Sequence, residues 1–379
     1  MDNSSAEAVN SNASSASLFD GGAPSYITAD GEEFPVKYMI GRRFQTFKNS
    51  YAMPIDDKEA QREYFLHLAF KEFLNEQLYL APVGDSKRIV DVGCGFGYFA
   101  EEIAQRQPDA EVIGIDMTPR DHQFVPDNLS YLQADIEASS SDGSMQPAWN
   151  HASIQQADLI FVREMTWAMV DPVRVIENAK RTLKPGGWIE FQQGTGTKYV
   201  DPGPDYPPYT DVALRWESLL EKTMAAICPH SDPRLASKLK SMLQQAGFAN
   251  VTEQVIMVPI GDWPKKRRLR NAGVCIRETF LGIRDAFEVM VQHTGAVSIQ
   301  DFTTLHEQFR AQLFDREVHM YAPYSIVFGQ KPVEEEEIVG EEVNEDAVLK
   351  SEEHVKCEET AENGEDRETA AQVSGNGRG

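Results

Sequence analysis

The run Ile89-Val90-Asp91-Val92-Gly93-Cys94-Gly95-Phe96-Gly97 ends an apolar stretch in a carboxylate and three glycines at alternate positions. Residues of these types at this spacing hold small molecules through the backbone. Without Cβ atoms, a tight turn lets its N–H groups approach a ligand, and the helix that follows aims its positive end at the same point. The result is a cofactor loop. A dinucleotide-binding turn has the spacing G-x-G-x-x-G, with the third glycine packing helix on strand. Here the third glycine, Gly97, falls one residue early, and Asp91 stands two residues before Gly93. A second carboxylate, Asp116, closes Glu111-Val112-Ile113-Gly114-Ile115 and is followed by Met117. It lies about 20 residues beyond the loop, where such folds place the acceptor of ribose hydroxyl protons.

The elements that must carry these groups follow from periodicity. Ile89 to Val92, Glu111 to Asp116, Leu129 to Ala134 and Asp158 to Val162 read as strands, and Leu183 to Phe191 as a helix end, a tight turn at Gly186-Gly187 and a fifth strand. Phe99, Ala100, Ile103 and Ala104 form the buried face of the first crossover helix. Ahead of the core, Lys58 to Leu80 carries Phe65, Leu68, Ala69, Leu74 and Leu78 at helical spacing, a candidate lid over the cofactor. Ser139 to Gln156 reads as a long exposed loop, and Pro202 to Pro208 as a bend no helix crosses. Helices are expected over 211–227, 233–246, 271–293 and 301–317, and strands over 251–260 and 318–329.

Each signal has a plain structural reading. Asp91 as a turn cap, Asp116 as a strand end in solvent and Gly186-Gly187 as a helix C-cap account for those residues singly. In series, the spacing from Asp91 to Gly97 resembles motif I of class I S-adenosylmethionine methyltransferases. That resemblance implies an α/β, Rossmann-like fold: a mostly parallel seven-stranded sheet, helices on both faces and an added helical substrate cap. It also implies S-adenosylmethionine as cofactor, held by Asp91, Gly93, Cys94, Gly95, Gly97, Asp116, Met117, Asp135 and Ile136. In this class the loop amides hold the methionine carboxylate, Asp91 favours the ammonium, Asp116 binds the ribose and Asp135-Ile136 lies along the adenine edge.

The chain has 379 residues and a formal net charge of −24. From Lys331 onward there are 16 acidic and 5 basic side chains, too charged and too poor in apolar residues to form a core. The first 30 or so residues are rich in Ser, Asn, Ala and Gly, without a basic start and apolar run. The expected organisation is a disordered tail over 1–35, a methyltransferase domain over 36–332 and an acidic disordered tail over 333–379. Within the domain, the cofactor core spans about 58–194 and the cap and last strands about 195–332. No apolar stretch approaches the roughly 18 residues of a membrane span. Cys94, Cys228, Cys275 and Cys357 show neither pairing nor metal spacing, as suits a reducing compartment. A cytoplasmic location is expected, with nuclear import as the alternative raised by Pro264-Lys265-Lys266-Arg267-Arg268-Leu269-Arg270. The acid excess speaks against direct nucleic-acid binding.

From Gly41 to Pro332 the chain resembles the fungal LaeA-like methyltransferases of secondary metabolism. The likeness rests on Tyr51-Ala52-Met53-Pro54-Ile55-Asp56-Asp57 ahead of a helix bearing His67, then Leu80-Ala81-Pro82, the glycine loop, Val112 to Asp116, Leu183 to Phe191 and Gly261-Asp262-Trp263-Pro264. It departs at Arg163-Glu164-Met165-Thr166-Trp167-Ala168-Met169, bulkier than the small-residue run of relatives and facing the transferring methyl in this class. Three functions follow: methylation of an oxygen or nitrogen of a small molecule in natural-product biosynthesis, a LaeA-like nuclear regulator of gene clusters working through protein partners, or a protein or peptide N-methyltransferase that shares the core and differs only in the pocket. Candidate bases are Glu164, His122 and His230, and no catalytic residue is singled out. His67 either packs on the cofactor or is a satisfied helix-face histidine.

Overall fold

The computed structural model describes residues 25–27, 33–47, 51–118, 125–138, 147–196, 199–200 and 211–333. His122, Pro202 to Pro208 and the acidic tail lie outside them. Three antiparallel strands come first: β1 (Ser25–Ile27), β2 (Glu33–Met39) and β3 (Arg42–Gln45). They correct the expected tail over 1–35, since strand structure begins before residue 36. Phe34 and Val36 are buried with exposed Pro35 between them, an alternation too short to stand out beside the Ser- and Gly-rich start.

Asp56 ties this hairpin to α1 (Asp57–Phe73). Its carboxylate caps the helix at Glu59 N–H, accepts from Arg42 Nε and Nη2 at 2.7 and 2.9 Å and accepts Arg43 N–H. Burial would raise the Asp56 carboxyl, but these donors hold it below its ordinary value. The core then runs β4 (Arg88–Val92), α2 (Tyr98–Arg106), β5 (Glu111–Asp116), β6 (Leu129–Gln133), β7 (Ala157–Arg163), α3 (Pro172–Thr182) and β8 (Leu183–Gly194). After the two-residue β9 (Tyr199–Val200) come α4 (Asp211–Ile227), α5 (Leu235–Gln245), β10 (Ala249–Ile260), α6 (Arg267–Thr294), α7 (Ile299–Phe314) and β11 (Met320–Gln330).

The main sheet has the order β10-β11-β8-β7-β4-β5-β6, with β9 pairing off this path on β11. The five strands β8-β7-β4-β5-β6 are parallel, and β11 runs antiparallel to both β8 and β10. Successive strand residues enter opposite layers. Ile89, Val112, Leu159 and Phe161 pack toward α2, while Val90, Ile113, Ile160 and Val162 pack toward α3 and α5. Strands covered on both faces read as continuous apolar runs, which is why the sequence marked them clearly. The expected tight turn at Gly186-Gly187 is carried as an irregularity inside β8, opposite the step from Ala157 to Leu159, with Gly186 at φ 79°.

A second core joins α1, α4, α6 and α7 to β11 around Phe70, Trp216, Phe287, Phe302 and Phe309, and forms the cap. Its seat depends on Gly273 of α6, whose carbonyl accepts Gly261 N–H at 2.8 Å. A Cβ on Gly273 would fall 2.1 Å from the Gly261 carbonyl oxygen.

Beneath the cap, the fully buried Glu190 carboxylate accepts the N–H groups of Leu80 and Ala81 at 2.7 and 2.6 Å and a Gln192 amide at 2.8 Å. It thereby ties the segment before β4 to β8. Burial pushes this carboxyl up to about 7, outweighing the hydrogen bonds that lower it.

Two outcomes are expected. Gly273→Ala should cost about 2–3 kcal/mol in urea unfolding, because the neighbouring backbone cannot swing aside. The folded-state carboxyl of Glu190 lies above its ordinary 4.5, so its contribution to stability is full below that pH and is lost as pH rises through about 7. Urea midpoints should therefore fall less between pH 5 and pH 8 in Glu190→Gln than in the parent chain; equal falls would refute this.

Candidate functional site

A cavity of about 260 Å³ lies at the C-terminal ends of β4, β5 and β7, closed over by α1 and the cap. Asp91, Gly93, Cys94, Gly95, Asp116, Met117, Asp135 and Ile136 line it, so eight of the nine residues expected around the cofactor converge on one space. Gly97 does not. It turns the chain into α2 at φ 82°, with the Tyr131 hydroxyl 2.3 Å from where a Cβ would stand. The small side chain of Cys94 is needed for packing: its sulfur lies 3.0 Å from the corresponding point on Gly114.

The turn amides are already engaged. Gly93 and Cys94 N–H both donate to the Ile115 carbonyl, Gly95 N–H donates to Asp116 Oδ2 at 3.0 Å, and Phe96 N–H donates to Glu63 Oε2 at 3.0 Å. This differs from the expectation that these amides wait for a ligand carboxylate. The other Asp116 oxygen accepts Thr118 N–H and Oγ1–H at 2.9 and 2.6 Å, which fixes the carboxylate at the tip of β5.

Asp91 is 3% exposed, and its Oδ2 has no hydrogen-bond partner among the described residues. Burial pushes its carboxyl up to about 7; Arg163 opposes this, while Asp116 and Glu63 add to it. Arg163 is half-buried, its guanidinium over the rings of Phe70, Phe99 and Phe161. It donates to His67 Nδ1 at 3.3 Å, and His67 Nε2 meets Glu102 at 2.7 Å. Burial and Arg163 push the imidazole down to about 3. His67 is therefore neutral, and it is a satisfied helix-face histidine outside the cavity lining.

Met165 packs against Gly93 of the turn, and the lining also has Trp167, Leu220, Phe280, Ile283 and Tyr324, together with Glu164, Glu217 and Glu221. Of the three candidate bases only Glu164 is brought here. His230 is exposed and lines nothing in this space, and His122 lies outside the described residues. Glu164, although exposed, holds a left-handed φ of 55°, and its Oε1 accepts Gly194 N–H at 2.6 Å; desolvation by the surrounding cavity wall raises its carboxyl above the ordinary value. A non-glycine residue held this way beside a cavity marks a position the surroundings over-determine.

Tyr51, Arg62, Glu63 and Tyr324 also line the cavity, and none was named from the sequence as a site residue. The available signal was Arg62-Glu63, a charged pair inside a helix whose neighbours Leu66, Ala69 and Phe70 are core. Within the basic run, Arg268 bonds the Glu72 carbonyl and Asn75, and Arg270 bonds the carbonyls of Pro264 and Lys265. Lys265, Lys266 and Arg267 remain exposed. No helix among the described residues is long and apolar enough to cross a membrane.

This sheet order, with a glycine turn after β4 and a capped cavity above it, defines a class I methyltransferase fold. The chain belongs to the methyltransferase-domain family, whose model matches residues 60–253, just over half its length. It is 27% identical over 303 residues to methyltransferase pytC of Aspergillus terreus, covering 78% of this chain and 88% of that one. It is 28% identical over 329 residues to a secondary metabolism regulator of Cochliobolus heterostrophus, covering 81% and 99%. It is also 26% identical over 301 residues to the protein-methionine methyltransferase laeA of Emericella nidulans, covering 77% and 76%. The protein is a methyltransferase, and S-adenosylmethionine is its cofactor. The cavity suits such a ligand, since the acids in its lining, among them Glu63, Asp91, Asp116 and Asp135, favour a molecule with cationic and hydroxyl donors.

The turn itself can be probed. A Cβ on Gly95 would meet the Glu63 carboxylate at 2.4 Å from a backbone at φ 54°, whereas one on Gly84 meets nothing within 4 Å. Gly95→Ala should lower stability by about 1–2 kcal/mol in urea unfolding, and Gly84→Ala should not.

Proposed function

We propose that the chain transfers a methyl group from S-adenosylmethionine to a nitrogen or oxygen of a small molecule in fungal secondary metabolism. One observation carries this reading: a single cavity runs from the glycine turn and Asp116 to an apolar, aromatic wall under the cap. At the first end Asp91, Gly93, Cys94 and Gly95 shape the seat of the amino-acid part, with Gly97 turning the chain into α2 behind them, Asp116 and Met117 take the ribose, and Asp135 and Ile136 border the adenine. The cofactor supplies an electrophilic methyl on a sulfonium. The chain's own work is alignment and exclusion of water.

At the other end Trp167, Phe280, Ile283 and Tyr324 suit an acceptor with an apolar body. The volume of about 260 Å³ lies near the lower end of small-molecule sites, about 300–1,000 Å³. Glu164 stands in this wall, placed to receive the proton of a hydroxyl acceptor; an amine arriving unprotonated needs no base. The pytC relative is named a methyltransferase and two other relatives carry regulatory or protein-modifying names, so the acceptor is the decisive quantity.

Titration calorimetry is expected to show S-adenosylmethionine binding that NAD does not compete with and that Asp116→Ala weakens about tenfold or more. Binding of NAD in place of S-adenosylmethionine would overturn the reading. Metabolites of strains with and without the gene should differ by one methylated compound and its precursor, whereas silence across many pathways would favour a regulator.

A further inference from the structure

Resting on the methyl-transfer reading above, we propose that Tyr324 of β11 and Glu164 at the end of β7 together seat the acceptor's reacting group, and that this group is a hydroxyl rather than an amine. Both side chains line the cavity. In the pairing of β11 with β8, Tyr324 lies opposite Gly194. The point where a Gly194 Cβ would stand is 3.5 Å from Tyr324 Cε1, 3.5 Å from Glu164 Oε1 and 3.7 Å from Glu164 Oε2. The two groups are thus side by side. Glu164 Oε1 accepts Gly194 N–H at 2.6 Å, whereas Oε2 has no hydrogen-bond partner among the described residues and belongs to an exposed side chain. Tyr324 is 4% exposed, held by Phe70 and Phe73 with ring centres 5.2 and 5.4 Å away, and its hydroxyl has no hydrogen-bond partner among the described residues. Unlike the sealed Nε1 of Trp216, that hydroxyl retains access to the cavity.

The pair offers one donor and one acceptor. Burial and the Glu164 charge raise the Tyr324 phenol well above its ordinary value, so it stays protonated and donates. Glu164 accepts: desolvation raises its carboxyl, which makes it the stronger base, while Arg62 of α1 and Arg163 of β7 limit that rise. A hydroxyl oxygen carries one proton and two lone pairs, so it can give the proton to Glu164 Oε2, accept from Tyr324 and still attack with the remaining pair. A neutral amine has a single lone pair. Accepting from Tyr324 consumes it, and a carboxylate alongside favours the ammonium, which has none. In the transfer the hydroxyl oxygen bonds to the methyl carbon as the bond from that carbon to sulfur breaks and leaves its pair on sulfur, and Glu164 Oε2 takes the hydroxyl proton. A sulfonium and a carboxylate thereby become a thioether and a neutral acid.

The probes are S-adenosylmethionine carrying carbon-13 in its methyl group and a small-molecule extract of the strain lacking the gene, incubated with the full chain and read by NMR. An O-methyl signal is expected, and an N-methyl, S-methyl or C-methyl signal overturns the proposal. No labelled small molecule at all overturns the methyl-transfer reading beneath it. Glu164→Gln, which keeps an oxygen for Gly194 N–H, should lower kcat at least about a hundredfold. Tyr324→Phe should raise the amount of extract needed for half-maximal rate about tenfold and leave kcat within about threefold. S-adenosylhomocysteine binding, followed by calorimetry, should stay within about twofold in both variants, which reports an intact fold and cofactor end. An unchanged rate profile in either variant, or a loss of S-adenosylhomocysteine binding that matches the loss of rate, overturns the paired seat.

Discussion

A carboxylate with almost no access to water sits at the end of the central strand, and the charges around it are arranged to make that tolerable. Asp91 shares its surroundings with Arg163, whose guanidinium is held by three aromatic faces and by His67, which is held in turn by Glu102. Glu102 also takes Lys71, linking α2 back to α1. The chain of contacts runs from solvent to the cavity, with the neutral His67 between the Arg163 cation and the Glu102 carboxylate. Burial of an isolated charge costs several kcal/mol, and the network offsets this without fully neutralising Asp91, whose carboxyl stays elevated.

The fold was legible because the central strands are covered on both sides. Ile89 and Val90 enter different cores, as do Leu159 and Ile160, so the runs are apolar but for a few acids, and the carboxylates Asp91 and Asp116 stand out. The same logic exposed the glycine turn, since positive φ at Gly93, Gly95 and Gly97 needs the residue type that the spacing displays. Eight of the expected cofactor residues meet in one cavity for this reason: each is fixed by strand register and turn geometry, both local properties.

What the sequence hid are groups brought in from far along the chain. Glu63 reaches the turn across 33 residues, and Tyr324 arrives from the last strand. No periodicity announces such a meeting. α1 looks like an ordinary amphipathic helix in sequence, yet it buries Glu59 and His67 as well as Leu66 and Phe70. Its polar positions are satisfied by partners that only the tertiary arrangement supplies. The N-terminal strands escaped notice for a different reason, because so few buried positions fall between turn-forming residues.

Asp56 serves the hairpin and α1 at once, accepting Arg42 and Arg43 on one side and capping the helix on the other. Gln45, Tyr51 and Met53, from the same stretch, stand in the cavity wall. The region matched by the family model opens at residue 60, after all of these. A fragment trimmed to that boundary would keep the glycine turn and the parallel strands while losing the helix cap and one side of the ligand chamber. The catalytic unit is therefore larger than the family's common segment, and its leading edge is the salt link between Arg42 and Asp56.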